Sequence, residues 1–568
     1  MTKLAATGEP TTSAAASPDQ RLPVLPPIRN RCFSAIFLAV GLVIWGFDLL
    51  GDHQAGKLVL LVACCAALLS PFIWFTFFSG RRGPKRFIPA ALLLATIAAP
   101  FSVLRVDEFS GELMPHFNWR WAAKPDTQLE IPPTPAVTAE TTPAVDMLTV
   151  TPYDFPGFFG PDRNLRVDSV SLNQDWQTHP PEKIWEHRIG AGWGSFAVVN
   201  GFAVTMEQRG ERELVTCYEV ETGKLRWSHG IDARYSTLIA GVGPRSTPTI
   251  DEGRVYALGA TGVLRCLDGA TGRQLWRKDL LQVLNIPAEA EAEQILYGRA
   301  NSPLIVDQLV VVPGGGVDAQ SAVSLIAFDK TTGDEVWRGG SDQISYASPR
   351  LATLLDQEQI VSVNESSVSG HDPATGKVLW QFEWEGDSAT ESNNSQPIPI
   401  GDDRLFISKG YSVGGSLRQL ERDANNHWTV TEVWSNYRLM KTKFTSAVYA
   451  DGYLYGLSDG ILECVEAATG EQMWKKGRYH QGQILAVGNS LLATDELTGE
   501  VILVQMTPEG AHEKGRFQAI DSDKIWNNLA IYGPYLLVRD AQRAACWKLP
   551  LHTDLSQPAA AEPLTSMP

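Results

Sequence analysis

Six short segments each carry a basic residue, an aromatic residue or both: GPRSTP (243–248), YGRANSP (297–303), SYASP (345–349), LMKTKFTS (439–446), GRYHQGQ (477–483) and DKIWNN (523–528). They supply Arg245, Arg299, Lys441, Lys443, Arg478 and Lys524, interleaved with Tyr297, Tyr346, Phe444, Tyr479 and Trp526. A further segment, TMEQRG, adds Glu207, Gln208 and Arg209. Cations beside aromatic faces suit an anionic small molecule, a carboxylate-bearing peptide or an acidic partner segment. The same side chains can instead tie loops together through carbonyls and neighbouring acids. On a chain of net charge −16 the clustering is unexpected.

Other chemistries find less material. No CxxC pair or Cys/His metal spacing occurs, and His371 and His480 each lack a spaced partner. The acidic, Asn-rich stretch EGDSATESNNS (385–395) is the best source of oxygen ligands for a calcium ion. The adjacent cysteines Cys64 and Cys65 lie in an apolar stretch. The sequence therefore assigns no catalytic, cofactor or metal residue. The acidic net charge argues against a general nucleic-acid binder.

The basic segments are spaced by a repeat. Thr-Gly-x-x-x-Trp recurs in CYEVETGKLRW (217–227), CLDGATGRQLW (266–276), AFDKTTGDEVW (327–337), GHDPATGKVLW (370–380) and CVEAATGEQMW (464–474). Each copy reads as a hairpin. An acidic side chain accepts backbone N–H groups in the turn, and Gly takes the left-handed conformation that closes it. The Trp that follows is a plate for packing between sheets. Two more short strands precede each copy, which makes four strands per repeat and a propeller blade. Trp185, Trp227, Trp276, Trp337, Trp380, Trp434 and Trp474 mark the blades; the copy at Trp434 is degenerate, and the next ends near Phe517 without a Trp. The last three strands lack a fourth, which Lys183–Ile189 is placed to supply, closing the ring. The fold class expected is an all-β propeller of about eight four-stranded blades, with seven as the alternative. Cys217, Cys266, Cys464 and Cys546 share one repeat position with Ala327 and Gly370, a site for a small buried residue rather than a disulfide.

The Asp-x-x-Thr-Gly-x-x-x-Trp string resembles the tryptophan-docking repeat of the PQQ-like propellers. That superfamily includes quinoprotein dehydrogenases and the propeller lipoprotein of the outer-membrane barrel-assembly machinery. The stretch DFPGFFGPDRN (154–164) looks like the Trp/Phe-Pro-x-Phe-x-Gly-Pro opening of bacterial PQQ-like repeat proteins. The resemblance implies scaffold more than function. Its dehydrogenase branch implies PQQ, Ca²⁺ and a carboxylate base; its alcohol-oxidising members place adjacent cysteines over the quinone, and its glucose-oxidising members carry N-terminal helices. Its assembly branch implies peptide addition at a blade edge, for which the degenerate stretch 428–434 is the place.

Three apolar stretches, 32–50, 58–78 and 87–104, each hold enough residues to cross a bilayer. Arg21, Arg29 and Arg31 precede the first, and Arg81, Arg82, Lys85 and Arg86 follow the second. The positive-inside rule then puts the N-terminus in the cytoplasm and everything beyond Leu104 outside, in the periplasm of a bacterial inner-membrane protein. The domains expected are a disordered tail (1–31), three transmembrane helices (32–104), an extracytoplasmic linker (105–147), the propeller (148–550) and a disordered tail (551–568). The function expected is a non-catalytic binding or scaffolding propeller without cofactor. Its protein, peptide or anionic small-molecule partner would lie at the funnel formed by Glu207, Arg209, Arg245, Arg299, Lys441, Lys443, Arg478 and Trp526. The alternative is a PQQ-dependent dehydrogenase.

Overall fold

The computed structural model describes residues 35–36, 38–44, 53–78, 83–109, 115–132 and 144–552, except 240 and 319. The chain folds as two units, Met1–Val103 and Leu104–Pro568. The first contains the helices His53–Phe78 and Ile88–Val103. Among the described residues no helix is long and apolar enough to cross a membrane. The three expected spans are thus not carried by the structure. The helix at the third has 16 residues, about 24 Å at 1.5 Å per residue against a hydrocarbon core of ~30 Å. The first stretch lies largely outside the described residues, as do both expected terminal tails apart from Leu551 and His552.

The second unit is an eight-bladed propeller. Its innermost strands are Ala197–Val199, Thr249–Asp251, Leu304–Val306, Arg350–Leu354, Ile398–Ile400, Val448–Ala450, Ile484–Val487 and Ala530–Tyr532, numbered here as blades 1 to 8. Blades 1 to 6 are antiparallel meanders whose strands run outward in chain order. Blade 8 is completed by Glu182–Arg188, which pairs with Arg543–Lys548 and joins the two ends of the ring. The count of eight and the closing strand match the sequence reading. Blade 7 gains a fifth, innermost strand, Arg166–Val167, running parallel to Ile484–Val487.

The repeat motif works between blades. The indole Nε1 of Trp185, Trp227, Trp276, Trp337, Trp434 and Trp474 donates to a carbonyl of the next blade: Val220, Gly269, Lys330, Pro373, Ala467 and Thr507, at 2.7–3.1 Å. The Thr-Gly turn of that next blade sits against the same ring. Gly272 has φ +70°, and a Cβ there would stand 2.6 Å from Trp227; Gly223, Gly333, Gly376 and Gly470 repeat the arrangement on Trp185, Trp276, Trp337 and Trp434. Glycine is needed twice, for the left-handed backbone and for the close approach. The turn is fixed by its acid: Asp268 Oδ1 accepts from Thr271 N at 2.9 Å and from Thr271 Oγ1 at 2.7 Å. Backbone N–H groups of Thr332 and Thr331 hold the equivalent Asp329 carboxyl below its ordinary value.

The small position beside each Trp is explained by strand pairing. Cys217, Cys266, Ala327, Gly370 and Cys464 lie opposite Trp227, Trp276, Trp337, Trp380 and Trp474, and Cys546 lies opposite Trp185. The four cysteines are free and buried. Burial pushes the Cys266, Cys464 and Cys546 thiols up to about 12, so they are inert packing residues.

Two blades depart from the pattern. Blade 5 has the turn 423–427 in place of Thr-Gly, and Trp380 bonds Gln359 Oε1 within its own blade, folding over Gly370. In blade 7, Gly515 occupies the Trp position opposite Leu503. A Cβ at Gly515 would meet Trp176 at 2.8 Å, and Trp176 packs edge-on against Phe517 with ring centroids 5.5 Å apart. A tryptophan from before the first blade thus fills the gap.

Replacing Gly272 with Ala is expected to destabilise the propeller by about 2 kcal/mol or more, from left-handed strain plus displacement of Trp227. Trp227→Phe should cost about 1–2 kcal/mol, because the Gly269 carbonyl loses its buried partner. Urea-unfolding midpoints check both, and a midpoint unchanged for Gly272→Ala would contradict the docking account.

Candidate functional site

The turns between third and fourth strands, which are Thr-Gly in blades 1 to 4 and 6, fall on one face of the ring. The loops leading from an outermost strand to the next innermost strand fall on the opposite face, here called the rim. The six basic or aromatic segments are of this second kind, so the fold brings them around one mouth of the channel.

There they separate into three groups. In the first, Arg245 lies over Trp193 (5.6 Å) and Tyr297 (6.0 Å), and its Nε donates to the Tyr297 carbonyl at 3.0 Å. Lys524 Nζ lies 4.6 Å above Trp193 and 4.1 Å above Trp526. Trp526 continues to Trp193 (5.1 Å) and Phe444 (5.4 Å) between ring centroids, and Tyr297 to Tyr346 (5.4 Å). The result is a continuous arc of five rings and two cations. Trp193 was missing from the sequence reading. Its signal was present, because GAGWGS (190–195) precedes the innermost strand of blade 1 as the other six segments precede theirs.

The second group gathers on one acid. Lys441 and Lys443 both pair with Asp459, Lys443 Nζ at 3.8 Å, and Arg478 Nη1 donates to the Asp459 carbonyl at 3.3 Å. Lys443 also lies 5.7 Å from the Tyr411 ring.

The third group is interior. Arg299 is fully buried and forks onto Glu291 at 2.7 and 3.2 Å, with Nη1 on the Pro313 carbonyl at 3.1 Å. Glu207, also fully buried, accepts from Gly190 N (2.8 Å), Thr216 Oγ1 (2.8 Å), Tyr218 OH (2.5 Å) and Arg209 Nε (3.0 Å). Burial alone would raise the Glu207 pKa, but Arg209, the Tyr218 hydroxyl and Arg539 outweigh it and hold the carboxylate below its ordinary range. Gln208 donates to the Gly210 and Ala233 carbonyls, at 2.9 Å each. Glu207, Arg209 and Gln208 fasten the rim loops of blade 1, and Arg299 fastens the insertion between blades 2 and 3.

The segment expected to be a linker contains structure of its own. A hairpin, Leu104–Phe109 with Pro115–Trp119, and the stretch after it lie along the rim. Lys524 Nζ donates to the Phe109 carbonyl at 2.7 Å, Arg209 Nη1 to the Glu130 carbonyl at 2.9 Å and Arg234 Nη1 to Asp126 at 2.6 Å. Val145 and Met147 are buried against blades 1 and 2.

The opposite end of the channel is plugged by the opening segment. Phe155 bridges to Val198 of blade 1, Pro156 accepts from Ile250 N of blade 2 at 2.7 Å, and Arg163 donates to the Pro303 and Ser302 carbonyls of blade 3 at 2.6 and 2.9 Å. Phe159 and Leu165 pack with blades 6 and 7.

The stretch 385–395 is held by its own bonds. Asp387 Oδ1 accepts from Ala389 N and Thr390 N, and Asn393 Nδ2 donates to the Asn364 and Glu365 carbonyls. His371 is buried between Ser369 Oγ (2.8 Å) and the Gly376 carbonyl (3.0 Å), and His480 faces Asp495 at 3.3 Å. Among the described residues no group of three or more His, Cys, Asp and Glu side chains is placed to hold a metal ion. Two concavities border the rim side. One, of about 750 Å³, is walled by Trp193, Lys524, Arg188, Asp540 and Arg543. The other, of about 1150 Å³, lies under the helical insertion after Gln274–Asp279 and includes His229, whose pKa burial and Arg265 push down to about 4.

A family model described as outer membrane protein assembly factor BamB matches residues 174–293 and 211–476, together more than half of the sequence. The chain belongs to the PQQ-like β-propeller superfamily. Among curated relatives of this propeller is the outer membrane protein assembly factor BamB of Shewanella oneidensis, 25% identical over 313 residues, 53% of this chain and 69% of that protein. The dehydrogenase subunit of the quinone alcohol dehydrogenase of Gluconacetobacter polyoxogenes is 32% identical over 260 residues, 42% of this chain and 29% of that protein. This chain therefore spans under a third of the dehydrogenase subunit's length. A europium-containing methanol dehydrogenase shares the propeller fold at TM-score 0.52 and 12% identity, over 68% of this chain and 90% of that one.

Glu207→Gln is expected to cost the propeller about 3–5 kcal/mol at neutral pH, because Arg209 and Arg539 lose a buried counter-charge. Since the folded-state pKa of Glu207 is depressed, its contribution is complete above the ordinary value of 4.5 and is lost as pH falls through the lower folded-state value. The stability gap between wild type and variant should therefore narrow below pH 4.5 in melting curves recorded against pH.

Proposed function

We propose that this PQQ-like propeller is a non-catalytic binding or scaffolding protein that holds an anionic group of a protein, peptide or small molecule at its rim. The observation that carries the reading is the arc in which Arg245 and Lys524 lie over Trp193, Trp526 and Tyr297. A cation over a ring is worth about 0.5–2 kcal/mol, and the arrangement prepositions charge for a carboxylate or phosphate. A protein partner is supported by the family model, whose name is that of an outer membrane protein assembly factor. The proposal includes an extracytoplasmic propeller anchored in the bacterial inner membrane, a reading that rests on the three apolar stretches and their basic flanks.

A PQQ-dependent dehydrogenase is the second reading, favoured by the 32% identity to the quinone alcohol dehydrogenase subunit. Titration of the full chain with PQQ, with and without Ca²⁺, alongside a dye-linked dehydrogenase assay separates the two. The binding reading expects neither saturable calcium-dependent binding nor turnover; observing both would overturn it. It also expects that a photo-crosslinker at Phe444 captures a partner in cells and that Arg245→Glu abolishes the capture. Capture unaffected by Arg245→Glu would remove the arc from the proposal.

A further inference from the structure

Two arginines line one cavity of the central channel, and among the described residues neither has an ion-pair partner. Arg163 belongs to the plug, and Arg350 begins the innermost strand of blade 4. Both line a cavity of about 500 Å³ between the plug and the inner strands of blades 2 to 5, with Asp162, Thr249, Asp251 and Pro399 among its walls. Arg163 is 8% exposed. Its two terminal nitrogens donate to the Pro303 and Ser302 carbonyls, and Arg350 Nη1 donates to the Pro397 carbonyl at 3.1 Å. The Nε atoms of both are buried without a hydrogen-bond partner.

Charge in the cavity does not balance. Among the described residues neither arginine forms an ion pair within 4.0 Å. Asp251 is already taken by Lys330 Nζ at 2.8 Å, and Asp162 is exposed at the edge. Burial, and after it the neighbouring Arg350, push the Arg163 pKa down to about 9; burial pushes Arg350 down to about 10 against the pull of Asp162. A buried guanidinium without a counter-ion costs several kcal/mol, and an oxyanion offsets that cost by pairing and by accepting the idle N–H groups.

We propose that the plugged end of the channel is a binding site for a small oxyanion, a carboxylate or phosphate, held between Arg163 and Arg350. The site is separate from the rim arc and does not rest on the function proposed for it. The walls supplied by the plug limit the ligand to a small molecule or free ion rather than a folded partner.

The test is calorimetric titration of the full chain with inorganic phosphate and with acetate, each against chloride at matched ionic strength. Saturable binding of either oxyanion is expected, and whichever binds more tightly names the class. Arg350→Met should weaken it about tenfold or more, and Arg350→Lys, which keeps the charge, should lose less. The melting midpoint of Arg350→Met reports whether the variant is folded. The proposal is overturned if wild type binds neither oxyanion beyond the chloride control, or if folded Arg350→Met binds as wild type does.

Discussion

The propeller depends on an indole ring meeting a glycine turn across each blade boundary. Blades alone are small twisted sheets with two apolar faces, and little in their shape selects one neighbour geometry over another. The Trp supplies a flat surface and one directional N–H, and the following blade supplies a carbonyl and a turn without a side chain. Five boundaries carry both elements, and Trp474 keeps the indole bond alone. Where the pattern lapses, the structure compensates. Trp380 satisfies its N–H inside its own blade. At the boundary after blade 7 the indole bond runs backwards, from Trp547 to the Ala519 carbonyl at 2.9 Å, while Trp176 fills the hole.

This interaction explains what the sequence could reveal and what it could not. Thr-Gly-x-x-x-Trp is local, so blade number, strand order and the small residue opposite each Trp follow from spacing. The closing strand was legible because three terminal strands leave an edge unpaired. Trp176 was not, since nothing local to Gly515 says which distant residue occupies the space. The site divides the same way. That basic loops share one face follows from the meander. Their partners are set by how each loop or insertion folds locally, which the repeat does not encode: Arg299 against Glu291 eight positions away, Lys441 and Lys443 against Asp459, Glu207 inside a four-donor cage. Arg163 and Arg350 lie 187 positions apart, and only the plug's path brings them together.

The two mouths of the channel have different physics. At the rim, charge is largely paired or laid on aromatic faces, and residues of 104–132 lie across part of it. At the opposite end, the plug replaces solvent with apolar side chains and carries one guanidinium into the interior. The acids follow this division. Glu207 keeps its charge against burial because cations and a hydroxyl converge on it, whereas burial raises the pKa of Glu213 even with Arg265 at 2.6 Å.

The plug also sets an order of events during synthesis. Residues 155–167 leave the ribosome before every other strand of the eight blades, and their binding surfaces on blades 1, 2, 3, 6 and 7 arrive over the following three hundred or so residues. A finished ring would have to be threaded, an improbable path for a segment bonded to both ends of the chain's fold. Blades that dock one after another around a waiting strand avoid the threading altogether. The final strand then seals the circle against Glu182–Arg188, so the nascent chain holds its interior filling before it has an interior.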